Sequence, residues 1–219
     1  MLEMIGDKFT QGGMWMWPLV ACSVLGIAIA IERYLVLMAA SRVSKGQLIA
    51  NLNGYILKGQ VAQALSLVSN VKTPLTNIIH SGLSSIVNGG DASEVQTSMD
   101  AVALREVPNL EKRIGFLSTL ANIATLLGLL GTVAGLIGAF DGIATVSASE
   151  KSAYLTSQIA IAMNTTAGGL IVAIPLLGAY GYLSAKAQQI SDDIAEVSVA
   201  TLNFIIANEA KIKGAKKVG

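Results

Sequence analysis

The chain has 219 residues, a formal net charge of +1 and 53% apolar residues. Charged residues make up 13%, about half the share of a soluble domain. These values exclude a nucleic-acid surface driven by net charge and point to a lipid bilayer. The one cysteine, Cys22, excludes an internal disulfide and leaves no thiol cluster for a metal.

In chain order, residues 1–13 hold Glu3, Asp7 and Lys8 and do not read as a cleavable signal peptide. The apolar run that follows is too long for the hydrophobic core of such a peptide. Three uncharged runs predict membrane crossings: residues 9–31, 114–140 and 152–185. A helix needs about 20 residues to cross the hydrocarbon core, so each run spans once. The second and third are longer than a crossing and continue beyond it. Trp15 and Trp17 mark one interface of the first span, and Tyr34 the other. Tyr180 and Tyr182 do the same near the end of the third.

Residues 32–113 carry eight Lys or Arg, and the tail after Ala185 carries five. The N-terminus has only Lys8, and the loop between spans two and three only Lys151. The positive-inside rule puts the N-terminus and that loop outside, and the middle segment and C-terminus inside. The middle segment reads as helices with no strand-like alternation. Residues 47–57 and 60–69 are amphipathic. Thr73-Pro74 opens a further helix with Leu75, Ile78, Ile79 and Leu83 on one face. The run Asn88-Gly89-Gly90-Asp91 breaks it. A last helix starts near Ser93 and leads, through a bend at Pro108, towards span two.

The second span carries Gly128, Gly131, Gly135 and Gly138. Gly131 and Gly135 are spaced for close helix packing, as are Gly138 and Gly142. Their packing predicts a ring of identical chains. Ser118, Asn122, Thr125 and Thr132 share one face at about 100° per residue. In the third span Ser157, Gln158, Asn164, Thr165 and Thr166 cluster in the outer half, and Pro175 predicts a kink. Each hydroxyl has a plain alternative role, bonding back to its own helix. Asn122 and Asn164 cost more to bury and call for partners or a wet cavity. Elsewhere chemistry is sparse. His80 has no partner at ligand spacing, and no nucleophile motif, phosphate loop or cofactor motif is present, so neither an enzyme nor a cofactor is expected. No span has a charged residue near its middle. Ion movement would need an ionisable group from a partner.

Two stretches resemble the ExbB/TolQ/MotA proton-channel family. One is Leu126-Leu127-Gly128-Leu129-Leu130-Gly131-Thr132-Val133. The other runs from Ile159 through Asn164-Thr165-Thr166-Ala167-Gly168-Gly169 to Pro175. Glu32-Arg33 after the first span is also typical. Three spans resemble the ExbB and TolQ branches more than the four-span MotA. The resemblance implies an all-α, polytopic membrane protein whose long helices extend into the cytoplasm. It also implies a homo-oligomeric ring, usually a pentamer, in the bacterial inner membrane. Helices two and three would line a pore holding two copies of a single-span ExbD/TolR-like partner, whose aspartate carries the proton. A TonB/TolA-like protein would receive the work. The family's pore-facing threonines fall on Thr132 and Thr166.

The organisation expected is a periplasmic N-terminus (1–13), three transmembrane helices (14–38, 114–142, 155–185), a cytoplasmic helical segment (39–113), a periplasmic loop (143–154) and a cytoplasmic C-terminal helix and tail (186–219). The chain departs from the family's pattern at two places. Ile161 stands where ExbB and TolQ often have glutamate, and Thr125 where many members have proline. Asn164 and Thr165 are candidates to replace the polarity lost at Ile161, and Thr125 and Asn122 are further candidates to line the ion pathway. Basic and acidic residues at the inner mouth, Glu106, Glu111, Lys112 and Arg113, are expected to form inter-subunit ion pairs. The coupling ion, proton or sodium, stays open, as do a motility-type stator and a passive scaffold for a periplasmic protein.

Overall fold

The computed structural model describes residues 14–208 and Ile212. Expectations for residues 1–13 and most of the C-terminal tail lie outside the described residues. The described residues form helices and no strand. The helices are α1 (Met16–Ala40), α2 (Lys45–Leu57), α3 (Val61–Ser69), α4 (Pro74–Val87), α5 (Ala92–Glu111), α6 (Ile114–Gly142) and α7 (Lys151–Ala207). Three helical stretches are long and apolar enough to cross a membrane, and they contain α1, α6 and α7. At 1.5 Å per residue the 57 residues of α7 reach about 85 Å. This helix runs unbroken through Pro175 and past Ala185.

The chain forms two compact units. One holds Met1–Arg33 and Arg113–Leu183. Here α7 packs on α6 along one face and on α1 along another. Small residues make the approach possible. Gly168 faces Met16 and Leu19, and Gly26 leaves the space that the Leu176 side chain fills. Less than a third of each apolar window is buried within the chain. Trp17, Leu126, Phe140, Met163, Ile171 and Ile174 all point outward. Such surface fits lipid or further copies rather than water.

The other unit holds Tyr34–Lys112 and Ser184–Gly219. Consecutive helices from α2 to α5 pack on one another. The apolar faces follow helical spacing: Leu48, Leu52 and Ile56 on α2, and Leu75, Ile78, Ile79, Leu83 and Ile86 on α4, are buried. Gly82 lets the Met99 thioether of α5 approach α4. Two helix starts are capped. Thr73 accepts from the Thr76 amide at 3.3 Å, and Thr76 Oγ1 accepts from the Thr73 amide at 2.9 Å. Asp91 accepts from the Glu94 amide at 2.8 Å, and Glu94 returns a bond to the Asp91 amide at 3.1 Å. Each reciprocal pair satisfies two otherwise orphaned donors. Pro108 lies inside α5 without ending it. The turn from α5 into α6 instead falls at Arg113, whose φ of 66° is left-handed.

Lys45 at the start of α2 donates to Asp193 and Glu196 of α7, both at 2.7 Å. The Asp193 carboxylate, then Glu196, holds the Lys45 ammonium above the ordinary lysine range.

A threonine pair on the seam between α6 and α7

The seam is built from glycines on α6 and small or hydroxylated residues on α7. A Cβ on Gly128 would lie 3.3 Å from the Gly169 and Thr166 backbones. One on Gly131 would fall on the Thr165 side chain, and one on Gly135 would lie 2.9 Å from Ala162 Cβ. The two backbones therefore touch, and glycine is the residue that permits it. Gly131 and Gly135 meet α7 of the same chain, because the loop of residues 143–150 is short enough to fold α7 back onto α6 directly.

Close approach brings Thr132 and Thr166 together. Their hydroxyls share a hydrogen bond. Thr166 Oγ1 also donates to the Gly128 carbonyl at 3.1 Å. Thr132 Oγ1 lies 3.2 Å from the same carbonyl and 3.4 Å from the Ala162 carbonyl. A hydroxyl has one proton to give, so Thr132 and Thr166 cannot use all these acceptors at once. Two arrangements are available. Thr132 donates to Thr166, which donates to Gly128; or Thr166 donates to Thr132, which donates to a carbonyl. Interconversion reverses the hydrogen-bond direction without moving a heavy atom. Both residues are half-buried, at the rim of the packed face.

The remaining candidates separate. Thr165 is fully buried against Gly131 and donates to the Ile161 carbonyl at 2.9 Å. Thr125 is exposed and bonds back to the Ala121 carbonyl at 3.0 Å. Asn122 is exposed. The outer member of the polar stripe of α6, Thr132, hydrogen-bonds across to α7. Asn164 is one turn from Gly168, on the flank of α7 that faces α1, and is half-buried. Sharing a stretch of sequence with Thr166 does not put it on the same side.

Two contacts escaped the sequence reading. Tyr154 Oη donates to the Gly138 carbonyl at 3.2 Å, and its ring occupies the space beside Gly142. The four-residue steps Tyr154, Gln158, Ala162 carried the signal that these residues share a face. At the other end of α6, Glu32 accepts from Arg113 at 2.8 Å and from Arg33 at 2.7 Å. Arg113, expected at an inter-subunit pair, is bound to Glu32 of its own chain, since α1 ends its apolar run beside the start of α6. Among the described residues no group of His, Cys, Asp or Glu is placed to hold a metal.

Residues 70–196, which include the whole seam, match the MotA/TolQ/ExbB proton channel family. A putative biopolymer transport protein ExbB homolog of Methanothermobacter thermautotrophicus is 30% identical over 193 residues, covering 88% of this chain and 66% of the relative, just under two thirds of its length. The biopolymer transport protein exbB1 of Vibrio cholerae is 28% identical over 208 residues, covering 93% and 88%. The Tol-Pal system protein TolQ of Haemophilus influenzae is 37% identical over 97 residues, covering 44% and 42%. Similarity to both ExbB and TolQ proteins agrees with three apolar helices and a seam free of charge. With more than half of its length matched, the chain belongs to the MotA/TolQ/ExbB proton channel family.

Proposed function

We propose that this multi-pass membrane protein is the ring-forming subunit of an ion-driven motor in the bacterial inner membrane. Its N-terminus faces the periplasm and its C-terminus the cytoplasm. Five copies surround two copies of an ExbD/TolR-like single-span partner. Proton flow past the partner's carboxylate turns or shifts one against the other and delivers work through a TonB/TolA-like protein. The observation that carries this reading is the hydrogen-bonded Thr132–Thr166 pair, set on a seam between two helices whose long apolar runs hold no Asp, Glu, Lys or Arg.

A carboxylate crossing hydrocarbon costs several kcal/mol. A hydroxyl donates to the charged carboxylate and accepts from the protonated acid, so it serves both states. The pair's reversible hydrogen bond adds a way to pass that change from one helix to the next. Asn122 and Thr125, exposed on α6, supply the polar surface that lipid would reject and that a pore or a further copy would accept.

Thr132→Val and Thr166→Val test the reading, because they keep shape and remove only the hydroxyls. Either change should abolish or strongly reduce ion-driven work in a complementation assay while the ring still assembles. Full activity of the double variant would show that the pair is packing and that the mechanism is wrong.

A further inference from the structure

The outer half of the α6–α7 seam has a polar group that the threonine pair does not use. Gln158 is half-buried over Gly138, and a Cβ there would lie 3.9 Å from Gln158 Oε1. Its amide makes no hydrogen bond among the described residues. Gln158 stands one helical turn outside Ala162, whose carbonyl lies 3.4 Å from Thr132 Oγ1. One turn is about 5.4 Å, the reach of two hydrogen bonds in series. At the far side of Gln158, also one turn away, Tyr154 bridges the helices through the Gly138 carbonyl at 3.2 Å. Its ring fits because Gly142 has no side chain.

A half-buried amide without a partner is unstable away from water. A site that is polar and next to several acceptors is suited to hold an ordered water. We propose that this outer half is a hydrated approach to the threonine pair, in which Gln158 holds the water and Tyr154 closes the outer end. The inference rests on the ion-path reading above, and adds the route by which water and the ion reach the threonines within a single chain.

The test is thiol accessibility in the full complex in membranes, which needs no ion flow. In a Cys22→Ser background, Gln158→Cys should react with a membrane-impermeant cationic methanethiosulfonate added on the side of the 143–150 loop. Ile171→Cys, on an exposed apolar face, should react far more slowly. Tyr154→Phe in the Gln158→Cys chain should speed labelling several-fold, by releasing the closure while keeping the ring. Equal rates for Gln158→Cys and Ile171→Cys, or no effect of Tyr154→Phe, would overturn the proposal. Where Gln158→Cys does not assemble, Gln158→Leu decides: it should lower proton flux into liposomes several-fold, and unchanged flux would overturn the proposal. Active threonine variants alongside a reactive Gln158→Cys would defeat the motor reading while leaving the hydrated seam in place.

Discussion

Thr125, Thr132, Thr165 and Thr166 have the same hydroxyl and four different surroundings. Thr125 back-bonds to its own helix, and Thr165 is packed at the centre of the seam, whereas Thr132 and Thr166 meet across it. The valine variants at the last two therefore probe function, while Thr165→Val tests packing. Arg113 offers a second contrast. Its left-handed backbone costs an ordinary residue about 1–2 kcal/mol, and its side chain binds Glu32. Arg113→Gly and Arg113→Ala lose the same ion pair, but only glycine relieves the backbone. The glycine variant should unfold at a higher temperature than the alanine variant; the reverse order would place the strain elsewhere.

Helix starts and helix contacts carry their own expectations. Asp91→Ala removes one side of the capping box at the head of α5 and should cost about 0.5–2 kcal/mol in thermal or denaturant unfolding. Leu52→Ala empties a buried site on α2 and should cost about 2–5 kcal/mol. Gly131→Leu should separate α6 from α7, because the new side chain would occupy the place of Thr165. A ring that forms normally with Gly131→Leu would show that the seam tolerates far wider spacing than its contacts imply. Lys45 has a raised pKa, so its bond to α7 is fully present below the ordinary lysine pKa and is lost only as pH rises through the folded value. Titration of Lys45 should therefore give no change in stability between neutral pH and mild alkalinity. Its exposed setting makes Lys45→Ala milder than Leu52→Ala.

The exposed apolar surface of α1, α6 and α7 makes a lone chain in water implausible on physical grounds. Lipid covers part of it, and the proposed ring covers more. Native mass spectrometry in mild detergent should give an oligomer, with five copies expected. A stable monomer of the unaltered chain would count against the assembly.

Periodicity and hydropathy were enough to mark the three apolar helices, the helices between the first two of them and the α4 apolar face, because each depends on spacing along one helix. The breaks at Thr73 and at residues 88–91 were legible for the same reason: capping and glycine chemistry are local. The family motif singled out Thr132 and Thr166, but no periodicity argument could pair them. Their meeting depends on how α7 folds back on α6, and on glycines that let two backbones touch. That same packing turned Gly131 and Gly135 inward, moved Asn164 to the flank facing α1, and set Tyr154 over Gly142. It also joined Arg113 to Glu32, 81 residues earlier in the chain. Residues on one helix have their relative directions set by the 3.6-residue turn. Residues on different helices acquire theirs only when side-chain volume decides which faces can approach.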